Sequence, residues 1–383
     1  MLRISVPRHY GSAILVAIFC LYLLGAGFAS PINDDEQVIL FPTFAFEESS
    51  TSWSGHIHGW IYEPETGRVR NQVARVLETL IDHHFGLSSE DQRREASVSR
   101  SPFARRADMF LVDNERGQRL SVTIAGQTVV LGQSEKNGHF EGEVKLPAAA
   151  GRPGDWIEVR ALTRSGDPRV FAGRVQLIPR TGISVISDID DTIKRSQVGD
   201  KVQLGLNTFF RDFRATPGMA ALYKGWESAG GVVFHYVSGS PFQLYPDLVD
   251  FARKDGFPEG SFHLRKFRLK DRSVVEFFGD PLAFKLGAIR PIMGQFRDRR
   301  FILVGDSGEK DPEVYAQLAS ELPNVAAILI RDVTNENLDS PRYAKLFSKL
   351  PASVERRVFR DTKELDDFKP REAGTRASGR TAA

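Results

Sequence analysis

The hydrophobic and polar positions divide the chain into two parts with different periods. Before about residue 180, short apolar runs alternate with turn-forming stretches, which predicts strands at 38–46, 53–62, 107–112, 120–131, 139–146, 156–162 and 170–178. Apolar residues recur at helical intervals in a single insert, 67–85, and an arginine-rich polar connector follows at 88–106. The regular spacing of the turns predicts a mainly β, sandwich-like N-terminal domain over residues 30–180.

Beyond residue 181 the apolar segments alternate between strand and helix patterns. Strands are predicted at 183–187, 232–237, 301–304 and 325–330, and helices at 217–228, 241–254, 281–296 and 311–322. This alternation predicts a doubly wound α/β domain with a parallel sheet over residues 181–368. The tail 369–383 is small, polar and basic, so we expect it to be disordered.

The first 29 residues have the pattern of an export signal. Arg3 and Arg8 precede an apolar run at 13–28, and Gly27-Phe28-Ala29 supplies the small residues of a cleavage site. We therefore expect a signal peptide over 1–29 and a periplasmic or extracellular protein. An uncleaved N-terminal anchor is the alternative. No second apolar stretch approaches this length, so we expect no integral membrane segment after signal removal.

Composition narrows the chemistry that is available. The only cysteine, Cys20, lies inside the predicted signal, which excludes disulfides, thiolate catalysis and thiolate zinc sites from the mature chain. Without the two signal arginines, 49 basic residues balance 49 acidic residues. This balance argues neither for nor against anionic lipid or nucleic acid, and we expect no nucleic-acid partner. Protein partners are not predicted.

Three carboxylates follow the first predicted strand of the α/β domain. Asp188, Asp190 and Asp191 precede Thr192 in the pattern D-x-D-x-T. Carboxylates at the carboxyl end of a parallel strand need a positive neighbour, and ligands bind in that crevice of an open sheet. A solvated acidic turn is one interpretation. The other is phosphoryl transfer with Asp188 as nucleophile and Asp190 as general acid and base.

A calcium loop of the helix-loop-helix type is excluded. Such a loop starting at Asp188 needs glycine at its sixth position and glutamate at its twelfth, where Ile193 and Gly199 stand.

Possible partners of this acidic turn follow later strands. Ser238 and Gly239 lie at a strand-to-helix junction, where a hydroxyl and backbone amides suit a phosphate oxygen, although Ser-Gly-Ser-Pro is also a common helix start. Lys285 interrupts an apolar helix and either snorkels to solvent or neutralises a carboxylate and a phosphoryl oxygen. Asp306 could complete a magnesium site with Asp188 and the backbone carbonyl of Asp190.

The amino-acid sequences of these motifs resemble those of a known protein superfamily. DIDDTIK, NTFF, PGM, HYVSGSPFQLYP, FPEGSFHLR and GDSGEKDPEVY are similar to motifs of the haloacid dehalogenase superfamily of phosphatases, and more narrowly of the actin-patch-associated, magnesium-dependent phosphatidate phosphatase family. The resemblance covers about residues 183–334 and is weak over 30–180. It implies a Rossmann-like catalytic domain. Its connecting segments, 193–216 and 242–280, are short enough to indicate a minimal cap.

The resemblance also implies roles for individual residues. Asp188 would be the nucleophile, and Asp190 the acid and base. The phosphate would be held by Thr192, Ser238, Gly239 and Lys285. Magnesium would be held by Asp188, Asp190 and Asp306, while Asp311 matches the last acidic position of the fourth motif, whose role is more variable.

We therefore expect an exported enzyme that hydrolyses phosphatidate to diacylglycerol and phosphate at a membrane surface. The basic segment 265–272 is a candidate contact with anionic lipid, or else a solvated loop. Two other functions stay open: an exported phosphatase for soluble phosphoesters, and a non-catalytic envelope adaptor. His56, His58, His83 and His84 are predicted to be surface or packing residues rather than metal ligands.

Overall fold

The computed structural model describes residues 32–65, 79, 81–88, 90, 102–267 and 280–370. The predicted signal peptide, most of the helical insert 67–85, most of the arginine-rich connector, part of the basic segment 265–272 and the tail beyond 370 lie outside the described residues.

The N-terminal part of the described chain is built on an antiparallel sheet. Its elements are β1 Gln37–Leu40, β2 Thr43–Ser49, β3 Ser52–Pro64, α1 Phe103–Phe110, β4 Val112–Asn114, β5 Arg119–Ile124, β6 Gln127–Gln133, β7 His139–Pro147, β8 Trp156–Ala161 and β9 Ala172–Ile178. The order is β1-β3-β2-β9-β8-β5-β6, with β4 and β7 also paired to β3. Only β2 and β9 pair in parallel among these described strands. The sandwich-like prediction is not confirmed, because these strands form one hydrogen-bonded sheet.

Three of the predicted strands in this part are wrong in detail. The segment 38–46 contains two strands, because β1 ends at Leu40 and β2 begins at Thr43. The segment 107–112 is mostly helical, because α1 occupies Phe103–Phe110 and only Val112–Asn114 is extended. The segment 120–131 is two strands, β5 and β6, separated by a turn at Ala125 and Gly126 with φ of 47° and 75°. An apolar run gave no signal of that turn because alanine is an unusual residue at positive φ.

The second part is an α/β domain whose described strands are all parallel. Its elements are β10 Gly182–Asp188, α2 Lys201–Gly205, α3 Met219–Ser228, β11 Val232–Pro241, α4 Tyr245–Asp255, β12 Gly260–Arg265, α5 Pro281–Gln295, β13 Arg299–Asp306, α6 Asp311–Glu321, β14 Val325–Arg331, α7 Pro341–Phe347 and β15 Glu355–Phe359. A π-helical turn, Leu206–Phe210, follows α2. The α/β prediction is confirmed, and β12 and β15 extend the sheet beyond the four predicted strands.

The order of this sheet is β12-β11-β10-β13-β14-β15, which puts β10 inside it. Val185 and Ile186 of β10 are fully buried on opposite faces, as expected for a strand covered by helices on both sides. Strand β10 pairs with β11 on one side and with β13 on the other. The carboxyl ends of these three strands therefore bring Asp188, Ser238 and Asp306 together at one end of the sheet.

The two parts of the described chain pack against each other through aromatic rings and histidines. The Phe44 ring lies 5.2 Å from the His235 ring and 5.4 Å from the Phe296 ring. His58 is buried, and its Nε2 lies 3.0 Å from Nδ1 of His139 in a hydrogen bond. The predicted packing role of His58 therefore agrees with its position. No helix among the described residues is long and apolar enough to cross a membrane.

Candidate active site

Asp188 ends strand β10 and is 1% exposed. Its Oδ1 accepts a hydrogen bond of 2.8 Å from Nζ of Lys285. Its Oδ2 is buried and has no hydrogen-bond partner among the described residues. An unsatisfied carboxylate oxygen is costly in a buried position, so this atom is the natural point for a ligand to contact.

Lys285 reaches the sheet edge from α5 and is 1% exposed, so it does not snorkel to solvent. Besides Asp188, its Nζ donates to Glu309 at 2.9 Å and to Asp311 at 2.5 Å. Burial alone would lower the pKa of Lys285, but the three carboxylates raise it well above its usual value. The lysine is therefore a fixed positive charge at the centre of the cluster.

Asp190 has a separate set of partners. Its Oδ1 accepts from Nζ of Lys194 at 2.7 Å and from Oγ of Ser196 at 2.7 Å. Its Oδ2 accepts from Oγ of Ser238 at 2.8 Å and from Oγ of Ser240 at 3.3 Å. Burial would raise the pKa of Asp190, but the charge of Lys194 and these hydrogen bonds lower it to about 2. Asp190 is thus an ionised acceptor.

The loop after β13 brings in the remaining carboxylates. Asp306 Oδ1 accepts from the backbone N–H of Gly308 at 2.6 Å, whereas its buried Oδ2 has no partner among the described residues. Asp311 begins α6, and its Oδ2 accepts from the backbone N–H of Asp306 at 3.2 Å. A Cβ on Gly305 would lie only 2.4 Å from Asp311 Oδ2, so glycine is required for this close approach.

A divalent cation fits this cluster. Asp188, Asp306 and Asp311 each offer an oxygen, and these atoms lie within 4.8 Å of one another. Burial and the neighbouring carboxylates raise the pKa of Asp188 and of Asp306 well above the usual value, because Lys285 alone does not balance them. A bound cation would relieve this repulsion, and carboxylate oxygens are ligands for hard cations.

The predicted metal ligands do not take part equally. The partnerless Oδ2 atoms of Asp188 and Asp306 are available, whereas both oxygens of Asp311 already accept hydrogen bonds. The carboxylate of Asp190 accepts hydrogen bonds from Lys194 and from serine hydroxyls, so Asp190 could serve a cation only through its backbone carbonyl.

The other predicted residues lie at the same edge. Thr192 is buried, and its Oγ1 has no hydrogen-bond partner in the described part of the chain. Gly239 lines the crevice, with Nε of Arg265 3.6 Å from where its Cβ would be. Asp191 shapes the turn: it has a φ of 52°, and its carboxylate accepts hydrogen bonds from three backbone N–H groups within 196–198.

The sequence analysis missed Lys194, Ser196, Ser240 and Glu309 as parts of the site. Lys194 is the last residue of the motif DIDDTIK. Its position four residues after Asp190 was a usable signal for an ion pair between them. The spacing of Glu309 gives no such signal, since its contact with Lys285 depends on the turn after β13.

A pocket of about 240 Å³ reaches part of this site. Its polar wall includes Asp190, Lys285 and Glu309. Its apolar wall is formed by aromatic, aliphatic and proline side chains: Phe85, Val198, Leu204, Phe209, Pro241, Pro281 and Phe284. Phe85 comes from the N-terminal part of the chain, so both parts of the described structure build this pocket.

Within the basic segment 265–272, two described residues contact side chains from other parts of the protein. Lys266 pairs with Glu141 at 2.8 Å, and Arg265 lies 4.6 Å above the Phe284 ring. Their contacts hold this strand end against the rest of the protein.

Comparison with known proteins finds a similar family over part of the chain. Residues 183–332 match a family model described as "Phosphatidate phosphatase APP1, catalytic domain". The matched range contains the whole carboxylate and lysine cluster. More narrowly, part of the chain is similar to the APP1-like phosphatidate phosphatase family.

Two curated relatives are similar to part of the chain. Phosphatidate phosphatase APP1 of Saccharomyces cerevisiae is 36% identical over 166 residues, covering 42% of this chain and 28% of the relative. An uncharacterized protein of Schizosaccharomyces pombe is 32% identical over 193 residues, covering 47% and 30%. The chain thus spans less than a third of either relative's length.

A solved carbohydrate esterase structure aligns over 86% of this chain and 89% of its own, at 12% identity and a TM-score of 0.20. A likeness this low carries no argument about fold or function.

Proposed function

We propose that the protein is a magnesium-dependent phosphomonoester hydrolase that acts through an aspartyl-phosphate at Asp188, with phosphatidate as its substrate. The observation that carries the proposal is the state of Asp188. One carboxylate oxygen is held by Lys285, and the other is buried beside the pocket without a partner among the described residues. A nucleophile needs both orientation and an unoccupied lone pair.

In the first step, Asp188 Oδ2 attacks the phosphorus, and the bond from phosphorus to the leaving oxygen breaks. The positive charge of Lys285 stabilises the phosphoryl oxygens as negative charge is redistributed. Asp188 and Asp306, with the backbone carbonyl of Asp190, would hold Mg²⁺, which supplies charge neutralisation at the transferring phosphoryl group. Asp190 protonates the leaving oxygen, which departs as an alcohol.

The protonation state of Asp190 changes along this sequence. In the free protein it is ionised, since Lys194 and the surrounding hydroxyls lower its pKa to about 2. The arrival of a phosphate dianion raises the pKa of a nearby carboxyl group, so Asp190, which lines the pocket, takes up a proton from solvent and then donates it to the leaving oxygen. Once ionised again, Asp190 accepts a proton from water as that water attacks the phosphorus and releases Asp188.

The shape of the pocket supports a lipid phosphomonoester. Phe85, Phe209 and Phe284 provide an apolar wall beside the polar groups. A phosphate attached to glycerol and acyl chains needs both surfaces, whereas a sugar phosphate would leave the aromatic wall without an apolar partner. Hydrolysis of phosphatidate would give diacylglycerol and phosphate.

The fold superfamily, the cap and export of the protein are also part of this proposal. We infer a Rossmann-like haloacid dehalogenase fold with a minimal cap, in which the turn Leu206–Phe210 covers part of the pocket. Export through the segment 1–29 is also proposed, and the N-terminal sequence of the secreted chain would test it. A start at Ser30 supports cleavage, and an intact N-terminus supports an anchor.

Phosphate release separates the proposal from its rivals. Purified protein is given phosphatidate in mixed vesicles, short-chain soluble phosphatidate and sugar phosphates, each with Mg²⁺ or with excess chelator. We expect phosphatidate to have the highest kcat/KM and the chelator to stop turnover. Higher kcat/KM for sugar phosphates would favour a phosphatase for soluble esters. No release from any ester, with Mg²⁺ present, would favour the non-catalytic adaptor.

A further inference from the structure

A second groove, of about 610 Å³, opens at the same edge of the α/β sheet. The loop 196–200 separates it from the catalytic pocket: Val198 lines the catalytic pocket, while Gln197 and Gly199 line the groove. Four arginines contribute to its walls: Arg195, Arg211, Arg214 and Arg331. The mechanism proposed above uses none of them.

Three of these arginines make no ion pair with the described residues, although Asp191, Asp306 and Asp332 lie within electrostatic range of Arg331. Arg195 and Arg214 are held side by side, because the backbone N–H of Arg195 donates to the carbonyl of Arg214 at 2.8 Å. Both side chains are exposed, and neither makes a hydrogen bond or ion pair with the described residues. Arg331, at the end of β14, donates from Nη1 to the carbonyl of Asp191 at 2.6 Å, and its buried Nε has no partner there.

Arginines elsewhere in the described chain are mostly neutralised. Arg106 pairs with Asp247 at 3.1 Å, and Arg342 pairs with Glu313 at 2.9 Å. The groove, by contrast, brings four arginines to one surface, where Asp191, Asp200, Asp212 and Asp332 also lie. Like charges that are kept together in this way repel one another unless an anion joins them.

The acidic residues of the groove do not supply that anion. Asp191 accepts three backbone N–H groups of its own turn, and Asp332 pairs with Arg360 at 2.7 Å. Asp200 caps α2 by accepting from the N–H of Gln203 at 3.1 Å. Asp212 is exposed and lies within electrostatic range of Arg105 and Arg106.

We propose that this groove is a second anion site, which binds a phosphate group through Arg195, Arg214 and Arg331. A guanidinium group presents paired N–H donors that match the oxygens of a phosphate, and several of them converge here. The phosphate is either that of a lipid headgroup or that of a free compound. The site is independent of the chemistry at Asp188, and it would hold an anion beside the catalytic pocket rather than in it.

The test compares two double variants of the full protein. R195Q/R214Q removes two charges from the groove. R116Q/R297Q is the matched control, because Arg116 and Arg297 are also exposed and make no hydrogen bond or ion pair with the described residues. Arg297 precedes β13 at the opposite edge of the sheet. R195K/R214K keeps the charge but loses the paired donors, so it reports on geometry if the glutamine variant is poorly folded.

Two binding measurements distinguish the sources of phosphate. Titration with inorganic phosphate, followed by phosphorus NMR, measures a free anion; co-sedimentation with phosphatidylcholine vesicles containing phosphatidylserine measures a headgroup. We expect R195Q/R214Q to weaken at least one of them on the order of tenfold relative to R116Q/R297Q, with the lysine variant in between. Loss in the first assay assigns a free phosphate, and loss in the second a lipid headgroup.

Equal binding by R195Q/R214Q and R116Q/R297Q in both assays would overturn the proposal. Hydrolysis of a soluble phosphomonoester is measured in parallel, and we expect R195Q/R214Q to retain it. A failure of this second site is thereby distinguishable from a failure of the proposed catalytic function.

Discussion

Asp188 and Asp190 are two residues apart in one buried turn, yet their surroundings are opposite. Asp188 shares a single cation, Lys285, with Glu309 and Asp311. Asp190 has its own cation, Lys194, together with serine hydroxyls. As a result burial raises the pKa of Asp188 well above its usual value, whereas the partners of Asp190 lower its pKa to about 2.

In the absence of a cation these shifts are the reverse of the proposed roles, since a nucleophile must be ionised and a general acid must be protonated. A cation beside Asp188 would lower its pKa, and a phosphate dianion beside Asp190 would raise its pKa. The environment of Asp188 is short of positive charge, which suits a cation and a phosphoryl group. The carboxylate of Asp190 already has a cation and hydroxyl donors around it. This arrangement suits a group that exchanges protons without leaving its position.

The largest effect is expected from Asp188→Asn. The amide cannot form the aspartyl-phosphate, so we expect turnover to fall on the order of 10⁴-fold or more. Phosphate release from phosphatidate measures the loss, and the thermal midpoint checks folding. Near wild-type turnover in folded Asp188→Asn protein would remove the nucleophile from the account.

The next largest effect is expected from Lys285→Met. Removing the cation leaves Asp188, Glu309 and Asp311 without compensation, so we expect unfolding to become easier by about 3 to 5 kcal/mol. Lys310→Met is the control, because Lys310 is exposed at the start of α6. Urea denaturation in the absence of Mg²⁺ compares them, and equal stability of the two variants would contradict the central role of Lys285.

The histidines between the two parts of the chain extend the comparison to buried groups for which desolvation is the largest influence on the pKa. Burial lowers the pKa of His58, His139 and His235 well below its usual value, and lowers that of His263 from 6.5 to about 3. The unfolded chain binds protons below pH 6.5 while the folded chain does not. Stability should therefore fall as the pH drops from 6.5 towards 3, by about 1.4 kcal/mol per pH unit for each such histidine.

Denaturant midpoints between pH 7 and pH 4 measure this slope. His263→Gln should reduce it, and His83→Gln, at an exposed position, should leave it unchanged. A flat profile in the wild type would show that these histidines are not buried in neutral form.

The smallest effect is expected from the hydroxyls around Asp190. Ser238→Ala removes a 2.8 Å hydrogen bond to an ionised carboxylate, at a cost of about 2 kcal/mol. Ser240→Ala removes a 3.3 Å bond from a less buried hydroxyl, and it should cost less. Thermal midpoints and kcat for both variants test this order, and a larger loss in Ser240→Ala would reverse the assignment.

The sequence predicted the Asp188 side of the site better than the Asp190 side. Asp188 and Asp306 could be grouped because the carboxyl ends of parallel strands meet at one end of the sheet. Lys285 lies in a helix, where its signal was a charge among apolar residues. The contact of Lys194 with Asp190 depends on a turn in which Asp191 adopts a positive φ, and a hydrophobic pattern carries no information about that turn.

The fold of the N-terminal part was also only partly predictable from the sequence. Alternation along a strand tells which residues share a face, but not which strand is the neighbour, so the parallel pairing of β2 with β9 was not predictable. Helix α1 was missed because its buried Arg106 looked like part of a polar connector. That burial depends on Asp247, which is distant in sequence, and on the carbonyls of Thr208 and Arg211.

The most direct test of the account is to trap the covalent intermediate. Protein mixed with phosphatidate and Mg²⁺ is quenched in acid during turnover, digested and analysed by mass spectrometry. The account predicts a phosphoryl group on the peptide that contains Asp188, with fragmentation placing it on that residue, and no such adduct in Asp188→Asn. A phosphoryl group on another residue, or full turnover in Asp188→Asn with no adduct in the wild type, would contradict it.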